Sequence, residues 1–324
     1  MSLKSILRKI KGMGLTTALL KLIGYEAVFT CAVRQRTSQD AVPGIKSPFK
    51  GFERSKQFWY ADPLLFSFQE KECIFMEAFD RRAGLGRIAF SEKAENGWTI
   101  PKVIIEEKFH LSYPMIFEYK QQLYMMPETS TAEKVILYRC IKFPEVWEKQ
   151  QTFLNGRRIV DIVVKEIKGN EIHFLGSECS PDNDLMTKFC RFSLQERDGV
   201  FSASEETAFN CVQNYSWYSR CAGYPYSGLL PLQRSREGIY GYSIIFAECD
   251  SVMESGTVIK KAEITPGDIK LSNKKPGKII GIHTYTRTHG YEVIDVEYME
   301  YNPSKWKNRF KKYAEKDEIR DALD

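Results

Sequence analysis

A repeat, written five times, constrains this chain more than any other feature. "ADPLLFSFQEKECIFMEAF", residues 61–79, is echoed by "SYPMIFEYKQQLYMMPETS", residues 112–130. Each copy opens on a small residue followed by Asp62 or Tyr113, then Pro63 or Pro114, two apolar residues and an aromatic, Phe66 or Phe117. A polar turn follows, then an aromatic-rich strand that ends on Glu77 or Glu128. "VDIVVKEIKGNEIHFLGSE", from Val160, has the same form, with Asp161 at the opening and Glu178 at the end. A fourth unit lies in "SRCAGYPYSGLLPLQRSREGIYGYSIIFAECD" and a fifth in "KIIGIHTYTRTHGYEVIDVEYME". The openings at Asp62, Tyr113, Asp161, Arg220 and His283 are 51, 48, 59 and 63 residues apart.

Units of roughly 40–50 residues made almost wholly of short strands predict a β-propeller. One blade cannot bury both of its faces, so it stacks on copies of itself. Further strand pairs between the copies supply the outer strands, with Asn96-Gly97 and Asp198-Gly199 as hairpin turns. Five units predict five blades. The first strand of each blade should line the central channel, so the five opening residues should converge there as a ring.

The remaining composition excludes several classes. A net charge of +5, with no Arg-rich arm and no zinc-finger spacing, gives no sign of nucleic-acid binding. The 8 Cys are scattered without a Cys-x-x-Cys and read as free thiols in a reducing compartment. With 4 His and none paired at ligand spacing, no metal is expected, and no cofactor motif occurs.

Both ends are basic and amphipathic. Leu3, Ile6, Leu7 and Ile10 fall at helical spacing among Lys4, Arg8, Lys9 and Lys11. Near the other end, Trp306, Phe310 and Tyr313 alternate with Lys305, Lys307, Arg309, Lys311 and Lys312. Basic amphipathic helices of this kind suit an anionic membrane surface. The charges interrupt any signal peptide, and no apolar run is long enough to span a membrane. The expected organisation is therefore a basic segment over 1–45, an all-β five-bladed β-propeller over 46–302, and a basic then acidic helix over 303–324. The expected location is cytoplasmic, peripheral at the inner membrane face.

"FWYADPLLF", "GRIAF", "FHLSYPMIFE", "YMMPETS", "SRCAG", "YGYSI" and "GIHTYTRTHGYEVID" occur in that order. This series resembles the N-terminal five-bladed propeller domain of plant glucosamine inositolphosphorylceramide transferases. Bacterial relatives of that domain stand alone or are fused to formyltransferase-like domains. The likeness runs from about Phe58 to Asp295. Two motifs depart from it. Cys221 stands where the family has Pro in Ser-Arg-Pro-Ala-Gly, and Leu230 stands where it has Arg in Arg-Pro-x-Gln. The stretch after residue 302 is short for a transferase domain, so transferase activity is not carried over. More remotely, the layout resembles arabinanase and invertase propellers, which place an Asp on blade one, an Asp on blade three and an acid Glu on blade four. Asp62 and Asp161 match the first two, whereas blade four opens with Arg220.

Glycoside hydrolysis needs one protonated carboxyl and one ionised carboxylate. The candidate catalytic set is Asp62, Asp161 and Glu128. The candidate sugar-binding set is His110, Tyr113, Arg220, Gln233, Tyr240 and His283. Three functions are compatible with these residues. The first is a non-catalytic propeller that binds a glycan or a lipid- or nucleotide-linked sugar in bacterial surface-polysaccharide biosynthesis, working with a glycosyltransferase or formyltransferase. The second is a glycosidase or transglycosylase. The third is a protein-interaction scaffold. The missing blade-four carboxylate and the lack of an export signal favour the first.

Overall fold

The structure, a computed structural model, describes residues 19–20, 23–36, 47–53, 55–204, 215–236, 239–273 and 278–302. The expected terminal helices lie outside these residues, apart from the helical pair Leu19 and Leu20.

The described strands form five antiparallel sheets. The first two, β1 (Tyr25–Gln35) and β2 (Lys50–Gly51), join the last blade rather than the first. Blade one is β3 (Phe58–Phe68), β4 (Lys71–Asp80) and β5 (Leu85–Ala94), edged by β6 (Gly97–Trp98) and β7 (Lys102–Ile105). Blade two is β8 (Ser112–Tyr119), β9 (Gln122–Glu128), β10 (Val135–Lys142) and β11 (Val146–Phe153). Blade three is β12 (Ile159–Lys168), β13 (Glu171–Cys179), β14 (Thr187–Arg197) and β15 (Val200–Ser204). Blade four is β16 (Arg220–Cys221), β17 (Leu229–Arg236), β18 (Ile239–Glu248) and β19 (Lys260–Ile264), with helix α1 (Cys249–Ser255) between the last two. Blade five has an interrupted inner strand, β20 (Ile279–Gly281) and β21 (Tyr285–Arg287), both paired with β22 (Tyr291–Tyr301).

β22 then pairs with β1 along its whole length, from Tyr25 opposite Tyr301 to Gln35 opposite Tyr291. This closes the ring with hydrogen bonds between the two ends of the fold and removes an open sheet edge. Residues 25–35, placed by sequence in the terminal segment, are thus the third strand of blade five. The chain is a five-bladed β-propeller.

The core is a ring of four apolar layers between blades. Phe75, Ile88, Ile116, Leu123 and Trp147 join blades one and two. Phe117, Tyr124, Phe174, Phe192 and Leu230 run through blades two to four. Phe246, Tyr285 and Ile294 join blades four and five, and Cys31, Met76, Ala89 and Val293 join five and one. Each layer is made by two or more blades, which is why no unit could fold alone. Burying a side chain such as Phe75 contributes about 1.5–3 kcal/mol.

Hairpin chemistry follows the turn residues. Asp198 and Gly199, at φ 52° and 80°, form the two-residue turn between β14 and β15. In blade one the turn falls one residue early, on Glu95 and Asn96, and Gly97 pairs with Ala94.

Candidate functional site

The repeated opening is a repeated backbone device. Asp62, Tyr113 and Asp161 have φ of 48°, 43° and 52°, in the left-handed region that non-glycine residues seldom occupy. Each sits in a β-bulge where the inner strand carries one residue more than its neighbour, between Ala61 and Leu64, Ser112 and Met115, and Val160 and Val163. A bulge re-aims a side chain that the pleat would otherwise send into the blade. All three side chains are buried.

The same register relocates one carboxylate. Ala61 lies opposite Glu77, and Ser112 lies opposite Glu128. In blade three the equivalent residue is Ser177, opposite Val160. A second irregularity, between Val164 and Glu166, lengthens that hairpin by one residue, which still leaves Glu178 one residue beyond the repeat position, opposite Ile159. Glu178 instead pairs with Arg157 at 2.9 Å and Lys188 at 3.1 Å.

Asp62 faces the seam between blades five and one. Its Oδ1 accepts from Thr284 Oγ1 at 2.9 Å and lies 3.1 Å from His283 Nε2. Its Oδ2 accepts from the Tyr113 N–H of blade two at 3.3 Å. On the other side of the imidazole, Asp295 Oδ2 lies 2.6 Å from His283 Nδ1 and accepts the Asp62 N–H at 3.0 Å. Asp295 Oδ1 accepts the N–H groups of His283 and Thr284. Burial works against ionising Asp62, but the His283 charge and the hydrogen bonds outweigh it and hold the carboxyl below its ordinary value. Burial also opposes an imidazolium, yet Asp295 and Asp62 on its two sides raise His283 well above 6.5. One donor atom each from Asp62, His283 and Asp295 lies within 4.8 Å of the others. That set has the chemistry to take a cation, but as arranged the imidazole itself fills the gap between the two carboxylates.

Asp161 faces the seam between blades three and four. Its Oδ2 accepts from Arg220 Nη1 at 3.2 Å, and Arg220 Nη2 donates to the Asp184 carbonyl at 2.6 Å. Burial raises the Asp161 carboxyl to about 8 even beside the guanidinium. Arg220 Nε is buried with no hydrogen-bond partner among the described residues. Arg158 Nη2 pairs with Asp184 Oδ1 at 2.9 Å.

Above Arg220 opens a cavity of about 540 Å³ at one mouth of the channel. Its walls carry His110, Glu128, Arg158, Asp184, Arg220 and Tyr240. Glu128 accepts from Ser130 Oγ at 2.7 Å. The Tyr240 ring stands 5.5 Å from the Arg220 guanidinium carbon and 5.2 Å from the His283 ring, so it links the cavity to the seam. His110 Nδ1 accepts the Gly86 N–H at 2.9 Å, and its Nε2 lies 3.3 Å from Glu77 Oε1. Gly86 is required there, because a Cβ would come within 2.4 Å of the Leu111 carbonyl. Burial, with Asp62 close by, raises Glu77 well above its ordinary value.

Four of the nine sequence candidates, His110, Glu128, Arg220 and Tyr240, therefore line the cavity. Asp62, Tyr113, Asp161 and His283 are buried behind it, at the seams. Gln233 is buried beside Arg220 in the ladder and donates to Ser235 Oγ at 3.1 Å. Asp295, Thr284, Arg158 and Asp184 are not among the sequence candidates. Asp295 carries a signal, a lone carboxylate inside the apolar run Val293-Ile294-Asp295-Val296.

The geometry defines a closed propeller with one polar mouth. Residues 50–235, more than half of the chain, match the family described as Glucosamine inositolphosphorylceramide transferase 1, N-terminal, and the chain belongs to that family. Glucosamine inositolphosphorylceramide transferase 1 of Oryza sativa is 31% identical over 97 residues, covering 29% of this chain and 13% of that protein. The Arabidopsis thaliana protein of the same name is 29% identical over 111 residues, covering 34% and 14%. The chain thus matches only a small part of each of these longer proteins. Solved structures of related shape include an exo-beta-1,3-galactanase from Phanerochaete chrysosporium, 15% identical, with a TM-score of 0.48 over 63% of this chain and 49% of that one. Another is an alpha-L-arabinofuranosidase from Podospora anserina, 11% identical, with a TM-score of 0.46 over 78% and 95%.

Proposed function

We propose that the mouth binds the sugar of a lipid- or nucleotide-linked saccharide, and that the chain serves bacterial surface-polysaccharide biosynthesis without cleaving its ligand. One observation carries this reading. The cavity of about 540 Å³ gathers Glu128 of blade two, Arg220 and Tyr240 of blade four, and His110 of the loop between blades one and two. Its size is that of a small-ligand site. Tyr240 and Phe109 offer ring surface for a sugar face, and Glu128 offers acceptors for hydroxyls. The buried Arg220, with its Nε unpartnered among the described residues, suits the phosphate that linked sugars carry. The plant relatives are named as transferases for glucosamine inositolphosphorylceramide, and this supports a ligand containing a sugar and a phosphate.

Titration calorimetry with glucosamine and glucosamine 1-phosphate tests it. The phosphate should bind about tenfold more tightly, and Arg220→Ala should bring the two together. No heat from either ligand at millimolar concentration would remove the proposal.

A hydrolytic alternative has one supporting observation. Asp161, raised to about 8, stays protonated at neutral pH in the neighbourhood of Glu128. Against it, Asp62 is occupied by His283, Thr284 and the Tyr113 N–H, which is a poor state for a base or nucleophile. Release of reducing sugar from arabinan or aryl furanosides, lost in Glu128→Gln, would favour the hydrolase.

A further inference from the structure

We infer that the mouth of the propeller is also its membrane-docking face, and that the partner is an anionic bilayer. The proposed saccharide site enters only in the consequence, which is that its ligand arrives from the membrane side.

The direction of the strands places both chain ends at the mouth. Second strands run toward it. β4 ends at Asp80, beside the Gly84 and Leu85 of the cavity wall, and β9 ends at Glu128 on the wall itself. β22 is the second strand of blade five, so its end at Tyr301 is at the mouth, and its antiparallel partner β1 starts there at Tyr25. Two contacts fix this directly. Arg81, in the turn that leads to Gly84, pairs with Glu300 at 2.5 Å, and the Asn302 N–H donates to the Gly24 carbonyl at 2.9 Å.

Apolar side chains are exposed at this corner. Leu19 is 61% exposed, Ile23 43% and Tyr301 48%. They form one neighbourhood. The Ile23 N–H donates to the Leu19 carbonyl at 3.1 Å, and the Tyr25 and Tyr301 rings stand 5.4 Å apart. Single exposed apolar residues are ordinary. Here three share the place where the chain enters and leaves, and the adjoining sequence is basic. Lys21 lies between them in sequence, Lys305 is three residues beyond Asn302, and Lys307 is five beyond. Each basic residue held near an anionic surface strengthens partition about fivefold. Apolar side chains add insertion that salt does not screen.

Among the described residues the opposite face exposes Ile141 and Val146 beside the β10–β11 turn, Ile167 beside the β12–β13 turn and Val200 beside the β14–β15 turn, so its apolar side chains are spread over separate hairpins, among Lys142, Glu145, Glu166, Lys168, Arg197 and Asp198, and not gathered at one corner. With the mouth against the bilayer, a sugar carried on a lipid meets Arg220 and Tyr240 without leaving the membrane.

The test uses the full chain and phosphatidylcholine vesicles that contain phosphatidylserine and brominated acyl chains. A fluorophore is attached at Ala83→Cys, on the mouth, or at Asp198→Cys, on the opposite rim. The unsubstituted chain is labelled in parallel to subtract its own thiols. Quenching of the first probe and not the second is expected, weakening as salt rises. Leu19→Ser, and separately Ile23→Ser with Tyr301→Ser, should lower partition about tenfold with melting unchanged. Quenching at Asp198→Cys, equal quenching at both, absence of partition, or folded serine variants that partition like the parent each overturn the inference. So does a dimer, seen by sedimentation without vesicles, that Tyr301→Ser dissolves, because a second copy would then own this face. Titration of glucosamine 1-phosphate without lipid, on the same variants, shows separately whether the saccharide site stands.

Discussion

Asp62 and Asp161 hold the same repeat position, in the same bulge, with the same left-handed backbone, and their surroundings drive them apart. Asp62 meets an imidazole already gripped by Asp295, a threonine hydroxyl and a backbone N–H, and it stays ionised below the ordinary carboxylate range. Asp161 meets one guanidinium, which is shared with a carbonyl, and burial raises it to about 8. The first arrangement is closed upon itself and joins blades five, one and two, where the ring is completed. The second leaves Arg220 in the wall of a cavity, its buried Nε unpaired among the described residues. A repeated backbone device therefore fixes where a side chain points, while its neighbours decide whether it clasps the fold or serves a ligand.

Breaking the clasp should have the largest effect. Asp62→Ala leaves the His283 charge with one carboxylate instead of two and strips the Tyr113 N–H and Thr284 hydroxyl of their acceptor. Opening a buried ion pair from one side costs roughly 3–5 kcal/mol. Urea unfolding should show that loss, while the fraction that remains folded still binds glucosamine 1-phosphate. A normal unfolding midpoint with abolished binding would reverse the roles given to the two aspartates.

Arg220→Ala should invert this pattern. The proposed phosphate contact disappears, and binding should weaken by roughly 1.5–3 kcal/mol, the usual range for a charged hydrogen bond. The cost to stability should be small at pH 6, where Asp161 is already protonated, and should grow toward pH 9, where an unpaired carboxylate would be left buried. Unfolding curves at the two pH values check it. A cost independent of pH would show that Asp161 is ionised throughout.

The two sites also differ in their pH dependence. His283 is raised above its unfolded value of 6.5, so its stabilisation is complete below about pH 6.5 and is lost as pH rises through the folded value. Asp62 is lowered from 3.8, so its share is present above about pH 3.8 and is lost as pH falls through the folded value. The clasp thus loosens at both extremes. Asp161, raised from 3.8 to about 8, lowers stability steadily between those values as pH rises and adds nothing further above them. His283→Gln should remove the alkaline loss that this imidazole causes and leave the Asp161 contribution in place. Melting temperatures from pH 5 to 10 would show an unchanged slope if the imidazole were neutral.

The sequence carried the fold because the repeat is a physical necessity of stacked blades, and its period and turns survive in the residues themselves. The five openings, Asp62, Tyr113, Asp161, Arg220 and His283, do fall at the inner strands or, for His283, in the gap between β20 and β21. What stayed hidden depends on register. Glu178 has the sequence context of Glu77 and Glu128, but the register of β12 on β13 puts Ser177 in that place and Glu178 one residue beyond it, opposite Ile159. Asp295 is 233 residues from Asp62, and no local pattern shows that its carboxylate reaches the Asp62 N–H. The division between cavity and seam depends likewise on side chains from separate blades. A repeat can say that they converge, but not which of them remains open to solvent.

Tyr113 holds the third bulge and should show the smallest effect, which makes it the finest test of the contrast. Its ring is 1% exposed, and its hydroxyl is buried without a partner among the described residues. Burial raises that phenol well above its ordinary value. A buried hydroxyl without a hydrogen bond costs free energy, and removing it relieves that cost at almost constant shape. If Tyr113 is architectural like Asp62, Tyr113→Phe should raise stability by about 0.5–1 kcal/mol and leave saccharide affinity unchanged. If the hydroxyl instead reaches the ligand or a water in the mouth, the variant should lose stability or affinity by a similar amount, with Arg220 and Tyr240 untouched. Paired unfolding and titration measurements resolve differences of that size, and a loss of affinity would move the boundary between clasp and cavity one blade inward.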